Sequence, residues 1–246
     1  SKIVIPPKSD NIEIKGTGKI NIEPIKKEGS DTPSKEITIN KVSPKPNGNM
    51  EFESDVDNLI IKEIQTFGTS TIKGDSRQGK TTTCQDLLLE GGSDFSTYDI
   101  VLQKVKIGLK SILNLNTDTT KFDEGSKLWI YYNRTIPERR FPIKINNAFP
   151  DFDKVRISVH NIASGDYLPV EQADEQLLIA QFNNENAGQD KLWEECEKLR
   201  PKFEDGNNFE NAQCLNITEK EVNLVATKVD KPSKSKDKKL SGGAIA

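Results

Sequence analysis

Residues 74–92 read GDSRQGKTTTCQDLLLEGG, and two readings of this stretch lead to different proteins. Gly74, Gly79, Lys80 and Thr81 satisfy the phosphate-loop pattern G-x-x-x-x-G-K-[ST]. In that reading the backbone N–H groups cradle a phosphate and a helix begins at the lysine. The pattern also needs a buried apolar strand before it and an acidic residue on a later strand to hold Mg²⁺. TFGTSTIK precedes Gly74 and is not a continuous apolar run. The later apolar runs LWIYYN and VRISVHN end in Asn rather than Asp. The favoured reading is a solvated loop, with 81–91 as a short helix stopped by Gly91-Gly92. A nucleotide-binding protein built on GDSRQGKT stays as an alternative.

On either side of this stretch the pattern changes. Residues 1–55 hold IVI, NIEIKG, KINIEPI and EITINKV, in which Ile or Val alternates with polar residues. That is the period of a half-buried strand. Gly, Pro, Ser and Asp stand between the runs. Each run offers two or three apolar side chains against the entropy of ordering it, too few for a core of its own. Two readings compete, a disordered tail and an extended arm, and the recurrent Ile-x-Ile pairs favour the arm. Its Ile12, Ile14, Ile20, Ile22, Ile37 and Ile39 would add strands to neighbouring subunits.

Residues 56–229 read as an α+β body. Leu59–Ile64 is strand-like. In DFSTYDIVLQKVKIGLKSIL, a capping box at Ser96 and Asp99 precedes Val101, Val105, Leu109 and Ile112 on one helical face, while Val105, Ile107 and Leu109 also alternate, so a helix is favoured with a strand or hairpin as its rival. KLWIYYN, a turn and FPIKI predict a hairpin, joined by KVRISVHNI as a third antiparallel strand. Pro169 opens a helix in VEQADEQLLIAQF. A further helix, AGQDKLWEECEKLR, ends before Pro201. CLNITEKEVNLVATKV is strand-like, and the Lys-rich residues 230–246 read as a tail. The fold expected is a small antiparallel sheet with two or three helices, preceded by the arm and followed by the tail.

Chemistry-bearing residues are sparse. There is one histidine, His160, in a strand-like run, and three cysteines at wide spacing: Cys84, Cys196 and Cys214. No C-x-x-C pair suggests zinc or a redox dithiol. Free thiols in a reducing compartment are expected, with Cys196 a small core or interface residue. No catalytic set, metal site or cofactor is predicted. The formal net charge is −3, hydrophobic residues are 33% and no apolar run reaches the length of a membrane span. The N-terminus lacks a signal-peptide pattern, so synthesis in a cytoplasm is expected. Basic and aromatic residues interleave in WIYYNRTIPERRF, and Lys26-Lys27, Arg139-Arg140 and Lys234–Lys239 form basic clusters. Single-stranded nucleic-acid binding is a further alternative.

Arm, body and tail without a catalytic constellation suit a non-enzymatic structural subunit. A composition rich in Lys, Asn, Ile and Asp suggests an AT-rich genome. The expectation is a bacteriophage virion protein, a head–tail connector, ring or capsid-associated component made in the host cytoplasm. Its partners would be copies of itself and other virion proteins, with no membrane and no small-molecule substrate.

Overall fold

Leu87 decides the architecture. In the computed structural model it lies in the middle of a strand, between Ile64 of the preceding strand and Val105 of the following one, all three in parallel register. The same column runs on in both directions as Ile14, Val42, Ile64, Leu87, Val105, Leu128, Ile157 and Phe203. Each member comes from a later turn of the chain. The backbone thus winds as a parallel β-solenoid, advancing by one strand spacing of ~4.8 Å per turn. The structure describes residues 1–5, 11–25, 35–116, 119–135, 141–148, 150–218 and 221–228, with the side chains of 216–218 excepted.

Two faces enclose the core. The first carries β2 (Glu13–Gly16), β4 (Glu36–Pro44), the first half of β6 (Asn58–Lys73), the first half of β7 (Thr81–Tyr98), β8 (Val101–Ile107), β10 (Lys121–Tyr132), β12 (Val155–Asn161) and β14 (Lys202–Phe203). The second carries β1 (Lys2–Ile5), β3 (Gly18–Pro24), β5 (Asn49–Ser54), the second halves of β6 and β7, β9 (Ile112–Leu115), β11 (Ile143–Asn146) and β13 (Gln176–Asn183). On this face Met50, Ile72, Thr97, Leu115, Ile145, Phe182 and Val222 stack in register. The chain turns from the first face to the second at a corner with a recurring backbone. Asn47, Gly68, Gly91 and Lys110 all have positive φ there. At Gly91-Gly92, φ of 64° and 72° lets β7 bend and continue as one strand.

The far end is closed differently. α1 (Gln189–Lys198) buries Leu192, Trp193 and Cys196. β16 (Glu221–Thr227) pairs antiparallel with β13 and with β15 (Asn211–Thr218). A Cys196–Cys214 disulfide ties α1 to β15.

Several sequence expectations are overturned. The described residues hold sixteen strands, one α-helix and one 3-10 turn at Phe152–Lys154, in one mixed sheet, so the α+β body with two or three helices is incorrect. Residues 81–91 are strand β7, the run after Ser96 is β7–β9, and VEQADEQLLIAQF supplies β13. The strands at 127–132 and 143–146 do not form a hairpin. They lie on different faces, and each pairs in parallel with other turns. The N-terminal runs are strands as expected, but they are the first turns of the solenoid and not a separate arm. Later turns of the same chain cover them, which supplies the core they lack individually. The helix before Pro201 is present as α1. The tail at 230–246, Lys26-Lys27 and Arg139-Arg140 fall outside the described residues.

Candidate functional site

The loop Gly74–Thr81 is a solenoid corner joining two parallel strands. No helix begins at Lys80: Thr81 opens β7, so the dipole and free amides of a helix N-terminus are missing. The loop already holds its own anion. The Asp75 carboxylate, 2% exposed, accepts from the Ser54 amide (3.0 Å), the Arg77 amide (3.1 Å) and the Arg77 guanidinium (2.7 Å). Arg77 also donates to the Ser54 carbonyl at 2.7 Å, and Thr82 Oγ1 accepts from the Asp75 amide at 2.9 Å. Burial pushes the Asp75 carboxyl up, but these hydrogen bonds outweigh it and hold the group below its ordinary value. Lys80 faces Asp57 at 3.6 Å. A Cβ on Gly74 would stand 2.3 Å from the Asp99 carbonyl, so this glycine serves close backbone packing. Gly79, with φ of 77°, serves the turn itself.

The six isoleucines fall into two groups. Ile14, Ile20, Ile22, Ile37 and Ile39 are buried in the solenoid's own core, while Ile12 is only partly covered. What is open at this end is the backbone. β1 pairs with β3 alone and β2 with β4 alone among the described residues. The Ser1 carbonyl accepts from Asn21 of β3 and that of Ile5 from Ile25 just after it, while the Ile12 carbonyl accepts from Asn40 and Lys41 of β4 and that of Gly16 from Lys45 just after it. Alternation then turns the N–H and C=O groups of Lys2, Val4, Glu13 and Lys15 toward the free edge. Val4, an exposed large apolar side chain, lies on it. Nothing in the sequence pattern distinguished this edge from the covered strands beside it, because all of them alternate alike.

The outer surface of the first face carries a second feature. One row reads, in register, Glu13, Lys41, Glu63, Asp86, Lys104, Lys127, Arg156 and Lys202. Its last four members are cations on adjacent strands, where like charges repel. Glu204 relieves them in part, 3.9 Å from Lys127. Beside the row, Trp129 is covered by the Lys104 ammonium at 4.3 Å, the Lys106 ammonium at 4.9 Å and the His160 ring at 4.5 Å. The ring's surroundings are thus already occupied, which disfavours base stacking. Tyr131 also faces outward, with its hydroxyl pKa raised by burial. Tyr132 points into the core and Arg134 pairs with Glu171 and Glu175. Tyr131, Leu88, Lys106 and Ile162 line a cleft of about 700 Å³ floored by Gly91, Gly92 and Gly108.

His160 sits between Trp129, Tyr131 and Tyr167. Its Nδ1 lies 2.9 Å from the Gly165 carbonyl and must donate to it, so Nε2 accepts from Ser158 Oγ at 2.6 Å. The pair has the contact of an activated nucleophile, but Ser158 is 0% exposed and the orienting group is a backbone carbonyl instead of a carboxylate. It is a packed structural unit.

The cysteines correct the expectation of three free thiols. Cys196 and Cys214 are bonded, and only Cys84 is free, buried on β7 with its thiol pKa pushed up by burial. No group of three or more His, Cys, Asp or Glu that could hold a metal occurs among the described residues. No helix among them is long and apolar enough to cross a membrane. The chain matches no protein-family model, no curated protein and no solved structure.

Proposed function

We propose that the chain is a non-catalytic structural subunit whose solenoid is extended by a neighbouring subunit at the β1–β2 edge. The observation that carries this reading is the asymmetry of the two ends. One is covered by α1, which a disulfide ties to β15, although β14 and β15 each pair with a single strand there; the other leaves β1 and β2 bare, each with a single partner among the described residues and with Val4 exposed. Exposed edges of this kind template strand addition. The occupant fitting them is another strand with alternating Ile or Val, since it continues the inward columns ending at Ile14 and Ile3. The disulfide further favours maturation along an oxidising route over assembly in a reducing host cytoplasm. On this reading the assembly is extracellular or surface-borne, in place of a virion component made in the cytoplasm.

The test is a Val4→Pro/Glu13→Pro variant. Both amides face the free edge, so proline removes two outward donors without breaking a bond to β3 or β4. Sedimentation should show wild type associating with rising concentration and the variant staying monomeric, with an unchanged circular dichroism spectrum. A wild-type chain that remains monomeric at every concentration refutes the proposal.

The cation row supports a second reading, in which Lys104, Lys127, Arg156 and Lys202 hold a linear polyanion such as a single-stranded nucleic acid along the solenoid axis. Binding should then weaken steeply with salt and be lost in Lys127→Glu/Arg156→Glu. Unchanged binding in that variant excludes the row as the site.

A further inference from the structure

We propose that Asn133 carries an N-linked oligosaccharide. Asn133-Arg134-Thr135 is an N-x-[ST] acceptor with no proline at its centre. It stands at the first turn beyond β10, where such acceptors must lie to remain reachable in a folded protein. The Asn133 Oδ1 accepts from the Thr135 amide at 3.0 Å and from the Thr135 hydroxyl at 2.6 Å. Both bonds go to the oxygen. The Nδ2 that would carry the sugar makes no hydrogen bond among the described residues and keeps both protons. Alternation continued one residue past β10 puts Asn133 on the outward side with Tyr131, which lines the cleft together with Ile162. Arg134 anchors the turn through Glu171 and Glu175. A sugar on Nδ2 would project near Ile162, an exposed apolar residue whose amide donates to the Tyr132 carbonyl next to Asn133.

The inference rests on the oxidising-route reading, because a transferase for this reaction works where disulfides also form. In the transfer, Nδ2 forms a bond to the anomeric carbon of an oligosaccharide carried on a lipid diphosphate. The bond from that carbon to the diphosphate oxygen breaks, and a base takes the Nδ2 proton. A second acceptor, Asn216-Ile217-Thr218, lies within strand β15, and the proposal does not extend to it.

The experiment uses the full chain isolated from its own source. Its mass is measured with and without reduction. Peptide N-glycosidase is then applied in heavy-oxygen water and the tryptic peptide 128–134 is sequenced. The expected result is a Cys196–Cys214 pair together with Asn133 converted to heavy-labelled Asp. A disulfide with unlabelled Asn133 overturns the sugar and leaves the compartment reading standing. Free thiols at both positions overturn both. Expressed in the same source, Asn133→Gln and Thr135→Ala should lose the glycan mass, and Thr135→Ser should keep it. A glycan on peptide 128–134 that survives Thr135→Ala would also refute the assignment.

Discussion

Replacing Asp75 with Asn tests whether the 74–81 corner is held by an internal anion. The buried Ser54 amide and the Arg77 amide and guanidinium all donate to the Asp75 carboxylate. Asn keeps one acceptor oxygen and turns the other into a donor that faces N–H groups. Leaving one buried amide unsatisfied costs about 1–3 kcal/mol. The Arg77 side chain is 51% exposed, so loss of its ion pair adds about 1 kcal/mol at most. The predicted loss at pH 7 is therefore about 1–4 kcal/mol, read from urea midpoints at unchanged slope. The pH dependence has a fixed sign. The folded carboxyl lies below its ordinary value of 3.8, so its contribution is fully present above that pH. It is lost as pH falls through the lower folded value. The gap between wild type and Asp75→Asn should accordingly narrow below about pH 3.8. A loss under about 0.5 kcal/mol at pH 7, or a gap that does not narrow in acid, refutes the reasoning.

Neighbouring positions on β7 should respond in opposite ways. Leu87→Ala empties a place in the inward column and should cost about 2–5 kcal/mol by chemical denaturation, whereas outward Leu88→Ala should stay within about 1 kcal/mol. Equal losses would argue for a different register. Cys214→Ser should destabilise the cap by about 3 kcal/mol, from the loop of 18 residues that the bond closes, and faster amide exchange should be confined first to α1 and β15.

The sequence made the strands visible and left their arrangement hidden. The alternation in NIEIKG, KINIEPI and EITINKV is the inward-outward pattern of the solenoid, and it was legible. The partner strand was not, because it comes from the next turn of the chain and no local signal marks parallel register. The helical expectation for this region fails for a related reason. Val101, Val105 and Leu109 are spaced by four, a separation that both a helical face and an alternating strand satisfy. Alternation in VKIGL was the better guide, and Val105 and Ile107 do point inward. The low hydrophobic share, 33%, also has a structural cause: a two-faced solenoid exposes half of every strand. At the candidate sites, the phosphate pattern was matched by a corner that needs Gly74 for close packing, Asp75 as an anchor and Gly79 for positive φ. The disulfide could not be found from spacing, since α1 must first fold against β15 before Cys196 meets Cys214.

Residue-resolved amide exchange across a concentration series tests the open edge most directly. In dilute protein, Ile3, Ile5 and Ile14 should be protected by bonds to β3 and β4, and Lys2, Val4, Glu13 and Lys15 should exchange freely. As concentration rises and subunits add, those four amides should become protected together. Four amides already protected in the dilute monomer, or unprotected at every concentration, would contradict assembly through this edge.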